Sequence, residues 1–176
     1  MHPYTAPMRR VLPVLLLAAL VSPAHAASVE VPGTGVRFTV PAGFVKMPPD
    51  ILKLKYSRGA PPTAVYSTPG PGWAVNIAFA VRRAEVPGDM AALKVLLERS
   101  VQGAPGFRWE SRGVKTLGPR AWVVLRFWVQ GADAPIYNDL RATPVKGGLL
   151  IVTANAAKSQ YPRYVQTLSA ALDSLR

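Results

Sequence analysis

The run Ala121-Trp122-Val123-Val124-Leu125-Arg126-Phe127-Trp128-Val129 alternates without leaving either side polar. Val123, Leu125, Phe127 and Val129 fall on one side of an extended chain, and Trp122, Val124, Arg126 and Trp128 on the other. A strand that is apolar on both sides has to be covered on both sides, since exposed apolar area costs about 25 cal/mol per Å2. The stretch therefore predicts a sheet held between two other layers.

Residues 149 to 154 are likewise apolar on both faces. From Ala74 to Val81 the alternation is one of size: Val75, Ile77, Phe79 and Val81 on one side, Ala74, Asn76, Ala78 and Ala80 on the other. Strand-like runs at 107 to 116, 120 to 130, 135 to 145 and 148 to 155 are joined by connections too short for a parallel crossover, which predicts an antiparallel meander. Its turns are marked by Gly118-Pro119, Gly131-Ala132-Asp133 and Gly147-Gly148. Two amphipathic helices supply the covers. The first has Asp89 as N-cap, ends before Gly103 and carries the stripe Met90, Leu93, Leu97 and Val101. The second begins after Ser159, tolerates Pro162 in its first turn and carries Tyr161, Tyr164, Val165, Leu168, Leu172 and Leu175. Nearer the N-terminus, Val36, Phe38 and Val40 alternate with Arg37 and Thr39 as in a half-buried strand, broken by Pro41-Ala42-Gly43. Residues 54 to 58 and 64 to 68 read as two short strands around the Gly59-Ala60-Pro61-Pro62 loop. The expected fold class is α+β, an antiparallel sheet sandwiched between helices in three layers, α/β/α.

Residues 1–26 read as a signal peptide. Arg9 and Arg10 precede the mostly apolar run Val11 to Val21, and small residues at Ala24 and Ala26 place cleavage after Ala26. The run is too short for a membrane anchor, which needs about 20 apolar residues. The paired arginines also fit twin-arginine export, but the flanking pattern favours the general secretory route; translation could start at Met1 or at Met8. The rest of the chain, residues 27–176, has the size of a single domain. Both histidines, His2 and His25, lie in the segment to be removed, and the chain has no cysteine. The exported product is therefore expected to have no lipid anchor, no disulfide and no transmembrane segment, and to be periplasmic or secreted.

The order of elements resembles the PsbP-like superfamily, which includes the extrinsic photosystem subunit and a Ran-binding nuclear import protein. The resemblance rests on Phe38-Thr39-Val40-Pro41-Ala42-Gly43-Phe44, on Gly118-Pro119-Arg120-Ala121-Trp122 and on Gly147-Gly148-Leu149-Leu150-Ile151-Val152-Thr153 before a final helix ending Ser174-Leu175-Arg176. With the stretches between, it covers roughly residues 27–176. It implies an antiparallel sheet between helices and a role in binding other proteins without catalysis. These residues carry packing and turn information and no chemistry, so no functional residue is carried across.

The composition removes several chemistries. Without histidine or cysteine in residues 27–176, Ser-His-Asp and Cys-His nucleophiles are excluded, and the usual zinc sites with them. No Ser-x-x-Lys or Gly-x-Ser-x-Gly occurs. The nine acidic residues show no recognisable glycosidase pair; Asp133 reads as a turn residue and Asp139 as an exposed strand residue. Gly33-Thr34-Gly35 lacks the third glycine of a dinucleotide fingerprint and reads as a turn. No catalytic residue, metal or cofactor is expected.

A formal charge of +12 is the remaining signal, and only Arg9 and Arg10 of it would leave with the signal peptide. Lys53, Lys55, Arg58, Arg82, Arg83, Arg108, Arg112, Lys115 and Arg120 form a candidate anion-binding surface, against the plainer view that they solvate the surface. Trp122, Arg126 and Trp128 form a candidate aromatic groove on one strand face, against the plainer view that they fill a core under a helix. The leading expectation is a non-catalytic accessory protein that binds another envelope protein through the exposed side of the meander or its loops. A binder of anionic envelope lipid or polymer is the second, nucleic acid being less available outside the cytoplasm. A hydrolase using carboxylates or a serine-lysine pair is the third.

Overall fold

The computed structural model describes residues 27–176 apart from Arg58 and Ala84. The expected signal peptide and Arg58 of the candidate anion-binding surface lie outside the described residues. In chain order the elements are β1 (Ser28–Val31), β2 (Val36–Thr39), β3 (Val45–Lys46), α1 (Pro49–Lys55), β4 (Ala64–Ser67), a 3-10 turn (Pro71–Trp73), β5 (Val75–Arg82), α2 (Met90–Gln102), β6 (Arg108–Leu117), β7 (Arg120–Gln130), β8 (Pro135–Val145), β9 (Gly148–Ala157) and α3 (Tyr161–Asp173). β1 and β2 form a separate hairpin; the other strands make one seven-stranded sheet in the order β3-β4-β5-β9-β8-β7-β6, antiparallel at every pairing. The expected meander is β6 to β9, and β9 then pairs with β5 from Val75↔Ala156 to Arg82↔Leu149.

The two-sided strands do have two covers. On one side α3 and the β1–β2 hairpin enclose Val75, Ile77 and Phe79 of β5, Trp122 and Val124 of β7 and Leu150, Val152, Ala154 and Ala156 of β9, closed by Leu168, Leu172 and Leu175. On the other side Leu93 and Leu97 of α2 sit on Val123, Leu125 and Phe127 of β7 and on Leu140, Ala142 and Leu149. Asp89 caps α2 as expected, its carboxylate accepting from the Ala91 and Ala92 amides.

The strand expected at 54 to 58 does not form over its described residues, 54 to 57: Pro49–Lys55 is helical, with proline in its first turn, Asp50 near its N-terminus and Lys53 and Lys55 in its last turn. The alternation around Leu54 had no burial behind it, for Leu54 is 77% exposed. The short strands β1 and β3 carry too few residues to show a period.

Candidate functional site

The size alternation along β5 has a structural consequence. Its large residues fill the α3-side core, and its small ones lie on the α2 side, at an end of the sheet that α2 does not roof. The result is a cleft of about 740 Å3, lined by β5, β7, β8 and β9 and by the α1 end, the 3-10 turn and the β7–β8 turn. That volume falls in the ~300–1,000 Å3 range of ligand sites.

Three asparagines form its floor. Asn76 of β5 is opposite Asn155 of β9, and Asn155 is opposite Asn138 of β8, so one amide stands on each of three neighbouring strands in a row across them. The Asn155 amide donates to Asn138 Oδ1 at 2.9 Å, and Asn138 Nδ2 donates to the Ile136 carbonyl at 3.2 Å. Tyr56 donates its hydroxyl to Asn76 Oδ1 at 3.3 Å, while burial pushes the Tyr56 hydroxyl pKa up and keeps it protonated. An amide has two N–H groups and two lone-pair sites, so all three retain hydrogen-bonding capacity.

The walls carry opposite charges. Lys55, at the end of α1, donates from Nζ to the carbonyls of Gly72 and Trp73, and burial lowers its pKa. Trp73 has φ 48°, a left-handed conformation uncommon outside glycine, and its carbonyl also accepts from Asn76 Nδ2 at 3.4 Å. Among the described residues no carboxylate is within salt-bridge distance of Lys55. Asp133, exposed in the β7–β8 turn, lines the opposite wall, and it too makes no ion pair among the described residues.

The other face of the same strands is polar in a different way. Arg141 of β8, fully buried, donates to Asp139 at 3.2 Å and to Asp173 of α3 at 2.7 Å. Arg126 of β7 donates to Asp139 at 2.9 Å, and Lys115 donates to Asp173 at 3.0 Å. Burial alone would raise the Asp173 pKa, but the bonds from Arg141 and Lys115 outweigh it and hold the carboxyl below its ordinary value. Beside this network Trp128, Tyr137 and Tyr161 stack edge to face or tilted, and Trp128 Nε1 donates to Glu110 at 2.8 Å. The cavity left there is about 110 Å3.

The candidate aromatic groove is closed by this arrangement. Trp122, Arg126 and Trp128 do share a face, but Trp122 is completely buried in the α3-side core and Arg126 is held by Asp139. Trp128 is 9% exposed and covered by Tyr161 from α3. Asp139 is not an exposed strand residue either: two arginines draw it in, and it is 2% exposed.

The candidate anion-binding residues that are described are dispersed and do not form one surface. Lys53 is exposed on α1 and Lys55 belongs to the cleft. Arg82 ends β5, with the exposed Arg83 next to it, and Arg120 opens β7, all at the sheet end away from the cleft. Arg108 lies at the other end, 6.0 Å from the Trp128 ring. Arg112 is 3.6 Å from Glu98 and packs over Trp109, and Lys115 is paired with Asp173. The asparagine row was missed in the sequence because nothing links positions 76, 138 and 155 until strand order and register are known. The small-residue face of β5 was its only trace.

No family model matches the chain, and no curated protein matches it. Solved structures do. The chain is similar to the cyanobacterial PsbP protein CyanoP from Synechocystis sp. PCC 6803, with 12% identity, TM-score 0.59, and 92% of this chain and 98% of that one covered. It is similar to LpqN, involved in cell envelope biogenesis of Mycobacterium tuberculosis, with 14% identity, TM-score 0.59, and 86% and 89% covered. It is also similar to PA94, a protein of unknown function from Pseudomonas aeruginosa, with 14% identity, TM-score 0.52, and 86% and 96% covered. The fold is PsbP-like. Among the described residues no helix is long and apolar enough to cross a membrane, and no cluster of three or more acidic, histidine or cysteine residues is arranged to hold a metal.

Proposed function

We propose that this is an exported, non-catalytic accessory protein that binds another protein of the cell envelope, and that the asparagine-floored cleft is its recognition site. The observation that carries this is the amide row with spare hydrogen-bonding capacity at the base of the 740 Å3 cleft. Amides hold and orient a bound group; they neither give nor take protons near neutral pH, so such a floor suits recognition and not reaction. The carboxylate best shielded for acid–base work, Asp139, is engaged by Arg126 and Arg141 on the opposite face. Support for the envelope comes from the signal-peptide pattern of residues 1–26 and from the likeness to LpqN, whose role is in cell envelope biogenesis.

The test is a pull-down from envelope extract with residues 27–176, wild type and Asn155→Leu, at low and physiological salt. The expected result is a discrete protein retained by the wild type at physiological salt and lost by the variant. Capture that ignores the substitution would overturn the role of the cleft. Lipid or polymer released from both proteins as salt rises would replace the proposal with binding of anionic envelope material.

A further inference from the structure

The two walls of the cleft are electrically unlike, and the floor between them has a measurable length. Neighbouring strands are about 4.8 Å apart, so Asn76, Asn155 and Asn138 on three successive strands span about 10 Å. Lys55 is on the α1 wall, at the Asn76 side, where Tyr56 meets Asn76; Asp133 is in the β7–β8 turn, at the Asn138 side. An extended peptide advances about 3.3 Å per residue, so the floor matches about three residues. Side-chain amides are complementary to peptide groups, offering a donor and an acceptor to each.

Lys55 is the more telling wall. Two carbonyls orient its ammonium, which stays exposed at the cleft and open to a ligand, and no carboxylate of the described residues neutralises it. Elsewhere in the molecule Arg141 and Arg126 share Asp139 and Lys94 is 2.7 Å from Glu98, whereas half-buried Arg120, at the sheet end away from the cleft, has no acidic partner among the described residues. A cation held by neutral acceptors alone is prepared for an anion from outside. The left-handed backbone at Trp73 aims the carbonyl that sets this orientation.

We infer that the cleft binds the carboxyl-terminal end of a partner polypeptide, with the terminal carboxylate on Lys55, the last peptide groups over Asn76, Asn155 and Asn138, and a Lys or Arg two residues upstream on Asp133. This rests on the proposed binding function and specifies the chemistry of what is bound. A saccharide would engage the amide row as well, but it would leave both charged walls without a use.

The probe is acetyl-Gly-Gly-Lys-Ala-Ala with a free carboxylate, titrated into residues 27–176 while the asparagine side-chain amide signals are followed by NMR. Two comparison peptides differ at one end of the contact: the same sequence amidated at its C-terminus, and acetyl-Gly-Gly-Ala-Ala-Ala with a free carboxylate. Each is expected to bind about tenfold more weakly, the loss of one charge-assisted hydrogen bond. Lys55→Met should erase the difference between acid and amide and leave the preference for lysine; Asp133→Asn should do the reverse. Asn155→Leu should abolish binding of all three. The inference is overturned if the free-acid peptide leaves the amide signals unmoved, if the two preferences survive both wall substitutions, or if a neutral disaccharide shifts those signals and the peptide does not. If the peptides fail while Asn155→Leu still abolishes capture from extract, the inference falls and the binding function stands. If the peptides bind and capture ignores Asn155→Leu, the binding function falls and the peptide site stands.

Discussion

Asn138 and Asp139 are neighbours on β8, point to opposite sides of one sheet, and are 8% and 2% exposed. Burial does not separate them, but their partners do. Asp139 is held by Arg126 and Arg141, and Arg141 reaches on to Asp173 of α3, so the charges on that face are engaged with each other. Asn138 has one amide neighbour, one carbonyl and open space above it. Polar groups that satisfy one another under a helix hold the fold together; polar groups left with capacity under an open cleft are available to something else.

The contrast breaks most visibly at Arg141. Arg141→Met should cost about 3–5 kcal/mol, because it leaves buried Asp139 with a single cation, and urea unfolding would measure it. Asn155→Leu is similar in size and faces the cleft, so it should cost no more than about 1 kcal/mol while removing capture. Equal destabilisation by the two would mean that the asparagine row is structural and the two faces do not differ in kind. Asp173 sharpens the same comparison with a smaller effect. Its folded pKa lies below its unfolded value of about 3.8, so its contribution to stability is present above pH 4 and is lost as pH falls through the lowered value. The stability gap between wild type and Asp173→Asn should therefore narrow below about pH 3.8, and the cleft substitution should show no such pH dependence.

The layered architecture was legible because strands such as β7 and β9 are apolar on both sides, and that property comes from residue order alone. The turns were legible for a similar reason, since Gly118, Gly131 and Gly147 punctuate long alternating runs. α1 was not, because a helix of seven residues with no buried side chain shows no period. Asp139 was misjudged because an acidic residue reads as exposed until its cations are known, and Arg126 and Arg141 come close to it only through strand pairing. The cleft was invisible for the same reason. Its asparagines are spread over positions 76 to 155 and brought together by the β5–β9 pairing.

That pairing also sets the order in which the molecule can be built. β5 lies before α2 and its partner β9 comes after the whole of β6 to β8, so the sheet stays in two pieces until most of the chain is available. The hairpin β1–β2 waits longer still, for it docks through the Arg37 backbone onto Arg176 and through the Thr39 amide onto Ser174, beyond the end of α3. Contacts so distant along the chain pay their loop-closure entropy late and fold slowly. A polypeptide emerging N-terminus first would stay unpacked until nearly all of residues 27–176 had been made, and would acquire its cleft among the last of its features.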